Sequence, residues 1–335
     1  MKSLARHSFS PRREGRVGYL SRVLRIYSRQ RSGPLSFWYE RPELNESGFG
    51  GRLGYFMRFD GKARYPGPFD ASGIPLLDYR GHIGRQYNPI AVAQYGLARF
   101  NAWTLSGAAG DRDAWIACAD WLAGTMRRNR QGVLVWMHDF DWPYRQWLDA
   151  PWYSGLAQGC GLSLLVRAAR ATRHDKYAAA AHEAFASLRL NVADGGVLVT
   201  DEQGDTWIEE YLVHPPSHIL NGFMWALWGV HDYAQWSGRA DAASVWTHAV
   251  GTLTRRIEDF DTGWWSLYEA RHNEREMLAS RYYHTLHITQ LRVMHRLTEI
   301  AHFGQVADRF QSYLDQPSSR ARAFAQKAIF KLRHY

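Results

Sequence analysis

Four times along the chain a polar and aromatic cluster runs directly into an apolar stretch of helical period, and the recurrence is about every 64 residues. The clusters are Gln86-Tyr87-Asn88-Pro89 with Gln94, Pro151-Trp152-Tyr153 with Gln158, Pro215-Pro216-Ser217-His218 with Asn221, and Tyr282-Tyr283-His284 with Gln290. Each following helix reaches a short polar turn, near Gly110, His174, Gly238 and Phe303, and then a second helix. Gly161–Arg170 with Tyr177–Leu188 reads as one helical hairpin, and Asn221–Gln235 with Ala242–Ile257 as the next. A fixed repeat of this length marks stacked supersecondary units. The strongly apolar run Leu220–Val230 suits a helix lining the inside of a ring. The expected fold is therefore mainly α: an incomplete α/α barrel (toroid) of about four hairpins. The clusters then gather at the N-terminal ends of the inner helices, where free N–H groups favour a carboxylate-bearing ligand.

Residues 36–85 break the pattern. Their glycines, prolines and aromatics, as in Gly48-Phe49-Gly50-Gly51 and Tyr65-Pro66-Gly67-Pro68, predict short strands and turns packed on the barrel. Between helical pairs, connectors such as 191–200 read as small β-hairpins. Residues 1–35 form a basic leader, disordered or with one helix at Tyr19–Arg29, where Leu20, Val23, Leu24 and Tyr27 share a face. The repeats occupy 86–317, and 318–335 is a basic C-terminal tail.

Charge follows this division. The chain carries +9 overall, but residues 1–32 contribute +8 and 318–335 contribute +5, leaving −4 on the body. A body of that sign excludes a protein that coats nucleic acid over its surface. The basic ends suit acidic lipid or a partner. Two cysteines, Cys118 and Cys160, are too few for a disulfide framework, and no apolar run is long enough to span a membrane. A cytoplasmic location, with peripheral membrane contact through the basic ends, is expected. The 15 Trp and 18 Tyr fit either an aromatic core or sugar-stacking surfaces.

Three groups hold candidate chemistry. Glu209 and Glu210 are adjacent, so in an extended segment they point to opposite faces: one toward a cleft, one into a structural contact. His284 and His287 lack a third ligand for a metal and read first as core histidines. Asp139, Asp141 and Asp149 offer a carboxylate pair for hydrolysis, although a turn or cap is the simpler role.

At these residues the chain resembles the D-glucuronyl C5-epimerases. The resemblance runs in order through Gly73–Leu77, Tyr87 to Leu97, Ala119–Leu122, Trp152–Ser154, Ala157–Gly159, Glu209–Tyr211, Leu220–Met224, Arg271-His272 and Tyr283-His284-Thr285. It implies a helical barrel, a homodimer, and conversion of glucuronate to iduronate in an anionic polysaccharide; no cofactor or metal is expected from the sequence. It also implies catalytic roles for Glu210, Tyr211 and Tyr283, and binding of the uronate by Arg271. Tyr87, Trp152 and Tyr153 would line the sugar cleft, with Gln94, Gln158 and Asn221 as further binding candidates and Arg281 and His284 beside Tyr283. The animal enzymes carry a large β-rich insertion where only residues 98–119 stand here. A polysaccharide lyase, which abstracts the same proton, a non-catalytic glycan-binding protein, and an aspartate hydrolase are the alternatives.

Overall fold

Local chemistry starts and stops each helix. Asn88 accepts hydrogen bonds from the N–H groups of Ile90 and Ala91 and begins α1 (Pro89–Ser106), with proline in its first turn. Ser154 begins α3 (Gly155–Thr172) through the N–H of Ala157, and Ser280 begins α7 (Arg281–Thr298) through that of Tyr283. α5 (Leu220–Ser237) has no side-chain cap. These four helices end on left-handed residues, Gly107, Arg173, Gly238 and Glu299. Each is followed at once by a partner: α2 (Ala109–Thr125), α4 (Asp175–Leu188), α6 (Ala240–Arg256) and α8 (Ala301–Asp315). The computed structural model describes residues 36–270 and 276–334, so the leader and its Tyr19–Arg29 helix lie outside the described residues.

Burial separates the inner helices from the outer ones. α3 buries every residue from Gly155 to Ala169, whereas α8 buries Phe303, Val306, Ala307 and Phe310, a single stripe of helical spacing. The inner helices are neighbours in the order α1, α3, α5, α7. α3 and α5 approach so closely that a Cβ on Gly159 would overlap the backbone of Ala226, and one on Gly229 that of Gly159. Four hairpins therefore form an incomplete α/α barrel.

The N-terminal segment fills its lumen. Tyr55 stacks on Trp225 of α5 with ring centroids 6.1 Å apart. Asn101 of α1 accepts from the N–H of Tyr55 and donates to the carbonyl of Met57. Arg167 of α3 donates to the carbonyls of Leu53 and Gly54 while pairing with Asp232. Thr289 of α7 donates to the carbonyl of Pro42. One strap thus touches all four inner helices.

Two-residue and three-residue strand pairs decorate the ring. They are β1 (Leu77–Asp78) with β2 (Arg85–Gln86), β3 (Arg127–Arg128) with β4 (Leu134–Val135), and β5 (Met137–His138) with β8 (Trp152–Tyr153). β6 (Trp142–Pro143) pairs with β7 (Trp147–Leu148), and β9 (Leu198–Thr200) with β10 (Thr206–Ile208). The last pair corrects the expected hairpin: 191–200 supplies only its first strand. The first and fourth helical turns fall at Gly107 and Glu299, a few residues before Gly110 and Phe303. The basic C-terminal segment is helix α9 (Pro317–His334), with Lys327 donating to the carbonyl of Leu278.

Candidate active site

The segment after β10 delivers two adjacent glutamates to opposite surroundings. Glu209 turns into the protein, where its carboxylate accepts from the N–H groups of Ser217 and His218 at 3.1 and 3.0 Å and pairs with the His218 ring. It fixes the loop that leads into α5. Glu210 turns the other way, onto the first turn of α5. Asn221 donates to its Oε2 at 3.4 Å, and a Cβ on Gly222 would overlap that oxygen. The carboxyl is buried, and burial pushes its pKa up to about 8 against the lowering effect of a Tyr211 hydrogen bond.

Four tyrosines from separate parts of the chain surround it. Tyr211 follows it directly and packs against Tyr144 of the β6–β7 turn, centroids 4.4 Å apart. Tyr283, in the first turn of α7, meets Tyr268 edge-on at 4.8 Å and receives a hydrogen bond from it. Burial raises the pKa of all four, and the Glu210 charge adds to the rise in each. They are therefore neutral hydrogen-bond and proton donors, while Glu210 titrates near neutrality. Tyr144 also donates to Glu269 at 2.6 Å, and Arg145 pairs with the same buried carboxylate.

Of the residues singled out in the sequence, Glu210, Tyr211, Tyr283 and Asn221 come together here, and Trp152 joins them with its ring 5.7 Å from that of Tyr211. Arg271 lies outside the described residues. Tyr87 is exposed, donates to Asp70 and packs on Trp121 of the outer helix α2. Gln158 is fully buried and bonds the backbone of Trp136 and Ser154, so it supports a loop rather than a ligand. Gln94 is buried against Cys160 of α3. Tyr153 reaches the carbonyl of Gly196. Arg281 is exposed at the start of α7.

Of the two readings of His284, a core histidine and a group acting beside Tyr283, its contacts fit the first. It stacks on Trp265 at 3.8 Å, accepts from the Ser266 N–H and donates to the Phe310 carbonyl, and burial lowers its pKa to about 4. It is a neutral core histidine joining α7 to α8. The aspartates have other partners too: Asp139 pairs with Arg127 at the surface, and Asp141 accepts from the Ala150 N–H. Tyr144, Tyr268 and Glu269 were missed. Tyr144 stood among those aspartates, and Tyr268 lies in the aromatic string just before Arg271-His272.

The profile of one protein family, described as D-glucuronyl C5-epimerase C-terminus, matches residues 129–312, more than half of the chain. The chain belongs to this family. The matched stretch contains Glu210, Tyr211, Tyr268 and Tyr283, the residues that the fold gathers. The D-glucuronyl C5-epimerase of Caenorhabditis elegans is 30% identical over 215 residues, 60% of this chain and 35% of that protein. An uncharacterised protein of Methanocaldococcus jannaschii is 27% identical over 161 residues, 47% of this chain and 51% of its own. The chain thus spans a third to a half of the length of the curated relatives it matches. Among solved structures, the cellobiose 2-epimerase of Spirochaeta thermophila superposes with a TM-score of 0.50 at 13% identity, over 89% of this chain and 85% of that one. That likeness concerns the barrel alone. No described helix is long and apolar enough to cross a membrane.

Proposed function

We propose that this member of a carbohydrate epimerase family converts D-glucuronate to L-iduronate residues in an anionic polysaccharide, inverting carbon five by proton removal and return. The observation that carries the reading is the setting of Glu210. It is a buried carboxyl with a pKa of about 8, within the family-matched stretch, among tyrosines from several hairpins. A carboxyl tuned to that range exchanges protons efficiently at physiological pH.

The hydrogen on carbon five is weakly acidic because the electron pair left by its removal spreads into the neighbouring carboxylate. Glu210, hydrogen-bonded to Tyr211, takes that proton. The extra negative charge on the uronate carboxylate falls to Arg271, the role the resemblance gives that residue. Tyr283, neutral because it is buried, donates a proton to the opposite face; the inverted sugar leaves, Glu210 gives up its proton to solvent and Tyr283 takes one back. Tyr268, bonded to Tyr283, positions its hydroxyl. The resemblance further implies a homodimer, which sedimentation would register as twice the 38.6 kDa chain mass.

Incubating the protein with a glucuronate-containing polysaccharide and reading the product by NMR tests the proposal. Iduronate signals are expected. An unsaturated, ultraviolet-absorbing uronate would instead identify a lyase, and an unaltered polymer bound to the protein a glycan-binding role.

A further inference from the structure

Three polar atoms of the inner helices have no hydrogen-bond partner among the described residues: Asn221 Oδ1, Gln290 Oε1 and His287 Nε2. All three side chains are buried. Leaving a buried polar atom unpaired is costly, so several in one place point to a group that bonds them. Helical geometry puts these in one lane. Tyr283, His287, Gln290 and Met294 follow one another at steps of four, three and four residues, so they share one stripe of α7. Neighbours on such a stripe have Cβ atoms about 5–6 Å apart. The stripe faces α5, since Gln290 Nε2 donates to the Asn221 carbonyl at 3.0 Å and Met294 accepts from the Trp228 indole. Asn221 in turn donates to Glu210. The lane therefore runs from Glu210 through Asn221, Gln290 and His287 to Tyr283, and its two ends are the candidate proton-transfer groups.

Neighbouring bonds fix what each atom offers. His284 Nε2 lies 2.9 Å from the Phe310 carbonyl and carries the hydrogen of that neutral ring, so His284 Nδ1 is a bare acceptor. Ser266 Oγ, 2.7 Å from Nδ1, donates its one hydrogen there, because two lone pairs would repel at that distance. His287 Nδ1, 3.0 Å from the same oxygen, is then the donor to it. Burial keeps the His287 ring neutral, so its Nε2 holds a lone pair and no hydrogen. Gln290 Oε1 and Asn221 Oδ1 are acceptors by nature. Three neighbouring acceptors need hydrogens that none of them carries, and each water supplies two. No carboxylate is among the three, which favours water over a cation.

We propose that Asn221, Gln290 and His287 hold a chain of buried waters between α5 and α7, and that this chain resets the enzyme after each inversion. The inference rests on the epimerase reading and deepens it. Inversion leaves Glu210 with one proton more and Tyr283 with one fewer. The waters take the first proton and pass one of their own to the Tyr283 oxygen, so the cycle neither gains nor loses a proton. They are the solvent through which the exchange runs. His287 and Gln290 stay neutral throughout. Both are positioning residues, which orient the waters and act on the sugar only through them.

Resetting follows inversion, so losing it separates the first turnover from those after it. The test is quenched-flow measurement of iduronate formed from a glucuronate polysaccharide by wild type, Gln290→Met, His287→Phe and His287→Gln. Gln290→Met and His287→Phe should make one iduronate per active site at the wild-type rate and then slow by about tenfold or more, the effect of losing one hydrogen-bond partner. His287→Gln keeps an acceptor near the Nε2 position and should recover most of the later rate. If first and later turnovers fall together in both Gln290→Met and His287→Phe, the residues are structural and the proposal is overturned. Unchanged rates in both overturn it equally. A high-resolution crystal structure of the wild type reads the waters without turnover. Ordered water bonded to His287 Nε2 and Gln290 Oε1 is expected, whereas a cation there, or protein groups bonded to the three acceptors, contradicts the proposal. Waters in place in a protein that never forms iduronate would refute the epimerase reading, and the reset with it, and leave the water site alone standing.

Discussion

Glu209 and Glu210 show how far a residue's neighbours decide its chemistry. Both are buried carboxyls one position apart. Glu209 is enclosed by donors from Ser217 and His218, whereas Glu210 has one long bond from Asn221 and a hydrogen bond from Tyr211. Their divergence was legible, because successive residues of an extended segment face opposite ways. Which one reaches the cleft was not, since the donors come from residues 217–221. The Glu210 pKa rises from an ordinary 4.5 to about 8. Between those values the folded protein holds a proton that the unfolded chain has released, so stability falls as pH rises across that window. Glu210→Gln removes the titration and should therefore stabilise the protein more at pH 8.5 than at pH 5.5 while abolishing epimerisation. Thermal melts at the two pH values check this, and an equal stabilisation at both would contradict the burial argument.

Helices were the most legible elements, because each inner helix opens behind a polar cluster and carries an apolar run. Their ends were less so. Gly107 and Gly238 announce left-handed caps, but Arg173 and Glu299 adopt the same conformation without a glycine to signal it. The β-hairpin that carries Tyr144 had no alternating pattern to reveal it, since its strands are two residues long. Contact between elements depends on Gly159 and Gly229, where α3 and α5 nearly touch. Gly229→Ala should cost about 1–3 kcal/mol by overpacking this crossing, read as a lowered denaturation midpoint. Because Asn221, in the first turn of α5, donates to Glu210, the same change should reduce kcat.

At the scale of the whole molecule, the repeat of about 64 residues foretold a ring of four hairpins. It did not foretell what fills the ring. Residues 36–85 read as a decoration of short strands, yet the strap from Phe37 to Tyr65 occupies the lumen. Its bonds to Arg167 join positions more than a hundred residues apart, which leave no local trace in sequence. Arg167→Met should strand Asp232 without its ion pair and release two strap carbonyls, at a cost of about 3–5 kcal/mol. Chemical denaturation measures that loss. A change below 1 kcal/mol would mean that the strap does not hold the barrel together.

Transfer of protons across the two faces of one uronate is the function we propose. Locating deuterium after incubation with a glucuronate polysaccharide in deuterium oxide tests it most directly. Wild type should place label at carbon five of both glucuronate and iduronate residues, and Tyr283→Phe, folded to the same melting temperature, should form no labelled iduronate. Labelled iduronate formed by Tyr283→Phe at the wild-type rate would contradict the account.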